Sequence, residues 1–136
     1  MPFKFEHLDV WKISLDYCDS IYELAEKLPE IERFNLKSQI IRAATSISLN
    51  IAEGSTSQSD PEQNRFLGMA LRSLIETVAC QRLITRRKYT SDRAFMEKLD
   101  LQAQEFAKRL HAFRRSLADS KKSIGEEQAL YEINEL

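Results

Sequence analysis

Residues 39–54 read QIIRAATSISLNIAEG, and this stretch decides the fold. At roughly 100° per residue, Leu36, Ile40, Ala43, Ala44, Ile47 and Ile51 fall on one apolar stripe of a helix. Gln39, Arg42, Ser46, Asn50 and Glu53, spaced 3, 4, 4 and 3 apart, form a polar stripe beside it. The pattern stops at Gly54, as helices often stop at glycine. An ordered polar stripe on a core helix points to a specific hydrogen-bonded seam.

Working outward, the same 3.6-residue period recurs on both sides. Upstream, Pro29 closes a periodic segment, because the residue before a proline is pushed out of the helical region. Downstream, Asp60-Pro61-Glu62 opens another, with Asp60 placed as N-cap and Pro61 at the first helical position. Thr90-Ser91-Asp92 offers caps for the last. Helices are therefore expected at about 8–28, 36–54, 61–88 and 92–118. Strand signals are absent. Short polar connections favour antiparallel neighbours, so the fold class is all-α, an antiparallel up-and-down four-helix bundle. Residues 1–118 form the bundle domain and residues 119–136 a polar, acidic C-terminal tail in which Gly125 breaks the helix. There EEQALYEINEL offers a short amphipathic helix around Leu130, Ile133 and Leu136 that would be marginal alone, and a mobile tail is expected.

The expected core follows from the stripes. In the fourth helix, Phe95, Leu99, Ala103, Phe106, Leu110, Phe113 and Leu117 share one face. The third offers Phe66, Leu67, Ala70, Leu71, Leu74 and Val78, and its internal Gly68 points to a close approach by a neighbouring helix. The first helix is too apolar for a monomer. Leu8, Trp11, Leu15, Cys18, Tyr22 and Ala25 make one stripe, and Val10, Ile13, Tyr17, Ile21, Leu24 and Leu28 a second. Together they span about 220°, against the little more than ~100° a bundle helix needs. Phe3 and Phe5, the tail or another subunit must cover the surplus. A second subunit is preferred, through Val10, Trp11, Tyr17 and Ile21.

Composition narrows the function classes. The chain has 136 residues, 43% hydrophobic and 30% charged, which suits one globular domain with a real core. No apolar run approaches the ~20 residues of a membrane span, and the start MPFKFEHLDVWK has no secretory h-region, so a cytoplasmic protein is expected. Cys18 and Cys80 read as reduced, buried thiols. Net charge is −1, yet residues 82–122 carry 12 basic and 5 acidic side chains. An anionic partner, RNA or DNA, fits that asymmetry. The candidate contacts are Arg82, Arg86, Arg87, Lys88, Lys108, Arg109, Arg114 and Arg115.

Catalytic and metal constellations fail on spacing. Di-iron bundles need Glu-x-x-His, but the residues three before His7 and His111 are Lys4 and Lys108. Two Cys and two His at scattered positions do not make a zinc site. No glycine-rich phosphate loop and no nucleophile with a matched base is visible. Neither a cofactor nor a small-molecule substrate is expected. What remains is the seam, in which Arg65, Arg72 and Glu76 of the third helix, with Ser73 at the edge of their stripe, face Gln39, Arg42, Ser46, Asn50 and Glu53 of the second. Antiparallel packing would bring Arg65 to Asn50 or Glu53 and Glu76 towards Arg42, pairs that fix register. The alternative for this seam is a ligand or substrate pocket.

These residues also carry a resemblance. Gln39, Arg42, Ala43, Ala44, Ser46-Ile47 and Asn50-Ile51-Ala52-Glu53-Gly54, followed by Phe66-Leu67, Ala70, Ser73-Leu74 and Glu76, resemble proteins encoded by intervening sequences in bacterial 23S rRNA genes. Phe5, Leu8, Val10-Trp11 and Ile21-Tyr22 are similar as well, and Arg72 departs from the pattern, which usually has glycine there. The resemblance implies a four-helix bundle assembled as a ring-like homopentamer. It also implies kinship with nucleic-acid-binding accessory proteins of diversity-generating retroelements, and it implies no catalytic residues. The expected function is a non-enzymatic homo-oligomer engaging RNA or a nucleic-acid-processing partner. The alternatives are a protein-binding scaffold and, third, an enzyme using the seam.

Overall fold

A computed structural model describes the backbone of residues 2–135 and the side chains of residues 2–119. Four α-helices and no strand occur among these residues: α1 Asp9–Glu26, α2 Leu36–Gly54, α3 Asp60–Arg86 and α4 Arg93–Glu135. Single 3-10 turns at Lys4–His7 and Glu30–Glu32 precede α1 and α2.

Local chemistry explains the ends. Ser59, not Asp60, is the N-cap of α3, and its hydroxyl accepts from the Glu62 amide. Asp60 instead lies in the first turn with Glu62, where acidic charge complements the helix dipole. At the other end of α3, Lys88 takes a left-handed φ of 60°. Its amide donates to Thr85 O and the Tyr89 amide to Ile84 O. This is a Schellman turn with lysine where glycine is usual.

The fourth helix does not stop at residue 118. It runs through Gly125 to Glu135. One glycine costs only about 1 kcal/mol, and the surrounding Glu, Gln, Ala and Leu are strong helix formers. The tail's apolar residues Leu130 and Ile133 lie outside the residues whose side chains are described, and Leu136 outside the described residues altogether.

The core joins the four apolar stripes. Tyr17, Ile21 and Leu24 of α1, Ile40, Ala44, Ile47 and Ile51 of α2, Leu67, Ala70 and Ile84 of α3, and Phe106 and Leu110 of α4 are all fully buried. Phe95, Phe113 and Leu117 pack partly buried against this cluster. Cross-helix contacts run in opposite order along neighbouring helices. Ser14 meets Ser48 while Cys18 meets Ala44. Asn64 meets Arg114 while Arg82 meets Asp100.

Small side chains set the spacing of α1 and α2. The Ser48 hydroxyl donates to Ser14 Oγ at 2.9 Å, and Ser14 donates to Trp11 O at 2.6 Å. Burial pushes the Cys18 thiol pKa up. Between α2 and α3, a Cβ on Gly54 would sit 2.9 Å from Phe66 Cβ, so glycine is required there by packing.

One expectation for α1 needs correction. Val10, Tyr17 and Ile21 are buried inside the protomer, so they are core residues and not subunit contacts. Trp11 is partly covered by Phe5, whose ring meets it edge-on at 4.6 Å. The apolar surface α1 leaves open is Leu15 and Tyr22, 45% and 48% exposed. They share the Trp11 stripe at spacings of 4 and 7.

Candidate nucleic-acid interface

The deepest polar feature is a directed hydrogen-bond chain in the core. Gln81 Nε2 donates to the Tyr17 hydroxyl at 2.9 Å, Tyr17 to Thr77 Oγ1 at 2.7 Å, and Thr77 to Leu74 O at 2.6 Å. With Thr77 committed to the backbone, the Tyr17 proton can go only to Thr77, which fixes the direction. Gln81 Oε1 is buried without a partner. The chain ties α1 to α3 as buried polar networks tie cores, and it contains no nucleophile–base pair. Sequence reading missed it, although Thr77 and Gln81, four apart on the α3 core face, were its signal.

The α2/α3 seam is an open groove instead of a buried lock. Its centre holds: Ser46 and Ser73 share a hydrogen bond of 2.9 Å, and Asn50 Nδ2 donates to Ser46 O. Its charges make no ion pair among the described residues. Gln39, Arg42, Glu53, Arg65 and Glu76 are exposed. The Arg65 guanidinium lies over the ring of its neighbour Phe66, 4.8 Å from the centroid, and does not reach Asn50 or Glu53. Gln39, Arg42, Ala43, Ser46, Ser73 and Glu76 line a cleft of about 510 Å³. The charged ends of these side chains lie in water, where pairing gains little. Arg72 is exposed too.

Of the eight candidate basic contacts, three are engaged within the chain. Arg82 pairs with Asp100 at 2.6 Å and, through that hydrogen bond, holds the Asp100 carboxyl below its usual range. Arg109 lies 3.6 Å from Glu105. Arg114 donates from Nε to Asn64 Oδ1 at 2.6 Å and is half-buried over α3. Arg86, Arg87, Lys88, Lys108 and Arg115 remain exposed. They form two groups. Arg86 to Lys88 sit where α3 turns into α4, whereas Arg115 lies beside Arg114, which reaches the start of α3. Twenty-two residues of α3 separate Asn64 from Arg86, roughly 33 Å of helix.

The end that carries Arg86 to Lys88 also holds residues that sequence reading left as plain connection. Glu32, buried between α1 and α2, accepts from the Tyr89 hydroxyl at 2.6 Å and from Asn35 Nδ2 at 2.9 Å. The Tyr89 bond, with help from Asn35, the Leu36 amide and the charge of Arg87, keeps the Glu32 carboxyl below its usual range. Ile31 and Phe34 stand exposed on either side of it. An Ile and a Phe inside the polar run PEIERFN were the available signal.

A family model described as 23S rRNA-intervening sequence protein matches residues 6–112. Among solved structures, the chain is similar to a protein of unknown function from the S23 ribosomal protein family of Bacteroides thetaiotaomicron. The two are 30% identical with a TM-score of 0.70, over 77% of this chain and 97% of that one. No curated protein matches.

Proposed function

The chain belongs to the 23S rRNA-intervening sequence protein family, and from that premise we propose that it is a non-enzymatic, cytoplasmic homo-oligomer that binds RNA through its exposed basic residues. The observation that carries this reading is the run Arg86-Arg87-Lys88. These are three consecutive exposed cations, none within ion-pair distance of a carboxylate among the described residues. Phosphate contacts need such cations, and Arg114 and Arg82, held elsewhere, contribute less. No helix among the described residues is long and apolar enough to cross a membrane.

The opposed order of the cross-helix contacts supports an antiparallel up-and-down bundle as the protomer. We propose a ring-like homopentamer, with Trp11, Leu15 and Tyr22 replacing Val10, Tyr17 and Ile21 as the α1 contribution to the subunit contact. A ring would repeat the basic run around its circumference and raise avidity without a large net charge. Light scattering should then give five times the 15.8 kDa chain mass.

Titration with RNA at several salt concentrations tests the binding. Log affinity should fall linearly with log salt. Reversing the charge of Arg86 and Arg87 should flatten that slope by about one unit per lost contact while leaving assembly intact. Binding that does not depend on salt, or none to RNA at all, leaves a protein-binding scaffold as the better reading.

A further inference from the structure

We propose that the bundle end formed by the α1–α2 and α3–α4 loops is a stacking platform for single-stranded RNA, with Phe34 as the aromatic face and Arg86, Arg87 and Lys88 as the phosphate contacts. The proposal rests on the RNA-binding reading above and gives it a site and a strand type.

Phe34 is 85% exposed and Ile31 83%, the two most exposed large apolar side chains of the described chain. The backbone between them is held at Glu32. Glu32 is anchored by Tyr89, Asn35 and the Leu36 amide, so the loop is pinned from both the α2 and the α4 side. A loop backbone fixed in this way loses little freedom when a ligand covers the ring. The Arg33 guanidinium lies 5.1 Å from the Phe34 ring centroid, and most of the ring still faces solvent. A base laid on that ring would complete a stack of guanidinium, phenyl and base, which tolerates any sequence because every base has a π-face.

The hydrogen bond between Tyr89 and Glu32 brings the basic run to the same end. The Schellman turn at Lys88 points the chain back so that Tyr89 can reach Glu32, leaving Arg86 to Lys88 at the rim. Nearby acids are largely engaged: Glu26 with Lys37, Glu30 with Arg33 and Asp92 with Lys27. The surplus at this end is positive. A single strand offers both what the rim and the ring can use, phosphates and unstacked bases. A duplex hides its base faces in its own stack.

Fluorescence anisotropy on the full-length protein, with oligoadenylate and with duplex RNA of equal length, tests this. Phe34→Ala should weaken oligoadenylate binding roughly tenfold and leave duplex binding unchanged. Phe34→Trp should retain the affinity and Phe34→Leu should not, since a merely apolar role would be served by leucine. Charge reversal at Arg86 and Arg87 should weaken both ligands. If that reversal weakens binding but Phe34→Ala does not, the platform is wrong and the RNA-binding reading stands. If neither RNA binds in a salt-sensitive way, both fall. A drop in oligomer mass on Phe34→Ala would assign the patch to contacts between copies and overturn the platform.

Discussion

The guanidinium of Arg114 fills the space that a side chain at Gly68 would occupy: a Cβ there would lie 3.1 Å from Arg114 Cζ. The close approach that a glycine inside α3 implied is thus made by an α4 side chain and not by helix backbone. In the wild type, Gly68→Ala gains up to about 1 kcal/mol of helix propensity but makes the Arg114 guanidinium give by a few tenths of an ångström, straining its hydrogen bond to Asn64. The single substitution should leave the melting midpoint nearly unchanged. In an Arg114→Ala background the same change should stabilise by about 1 kcal/mol. Equal effects in the two backgrounds would show that the residues are uncoupled.

Tyr17→Phe removes the acceptor of Gln81 Nε2 in a core where Gln81 Oε1 already lacks a partner. At neutral pH it should cost about 1–3 kcal/mol in denaturant unfolding. The gap should narrow at high pH. Burial pushes the Tyr17 hydroxyl pKa up to about 12, against the lowering effect of its bonds to Thr77 and Gln81. The unfolded chain loses this proton near 10.0 while the folded chain keeps it to about 12. The stabilisation is therefore complete below pH 10 and is lost as pH rises towards 12, at up to about 1.4 kcal/mol per unit. The Phe variant should lack that part of the alkaline slope.

Lys88→Gly should separate stability from binding. Lysine at φ 60° pays the left-handed penalty of a side chain with a Cβ, about 1 kcal/mol, which glycine relieves. The variant should melt higher by a few degrees and bind RNA more weakly, because one rim cation is gone. A variant that melts lower would mean that the lysine side chain has a structural partner outweighing the strain.

Glu53→Ala and Arg65→Ala should each shift stability by no more than about 0.5 kcal/mol, and the double variant should be additive. Both side chains are exposed, and Arg65 reaches Phe66 instead of Glu53. A large joint loss in thermal melting would restore the pairing expected from their spacing. Ser73→Ala, which breaks the hydrogen bond to Ser46, should cost more than either.

The helix number, the core stripes and the family were legible in the chain, because helical periodicity is a local property repeated over 18 residues or more. Ile40, Ala44, Ile47 and Ile51 had to face inward together whatever lay opposite them. The end of α4 was not legible: Gly125 weakens a helix locally, and favourable neighbours on both sides outweighed it.

The site depended on distances between helices, which spacing along one helix does not contain. Arg42 and Glu53 on α2, and Arg65 and Glu76 on α3, lay on facing stripes yet point to water, while Arg82 and Arg114 looked free and are engaged. The two stripes of α1 were equally apolar in the sequence. Only packing decided that Val10, Tyr17 and Ile21 go inside and that Leu15 and Tyr22 stay half in solvent. Tyr89 and Glu32 meet across 57 positions. The sequence alone determined which residues could form a helix face, since that requires only the period of the backbone. The tertiary structure decided which face was core and which charges remained unpaired, since burial and ion pairing depend on what the other helices bring within reach.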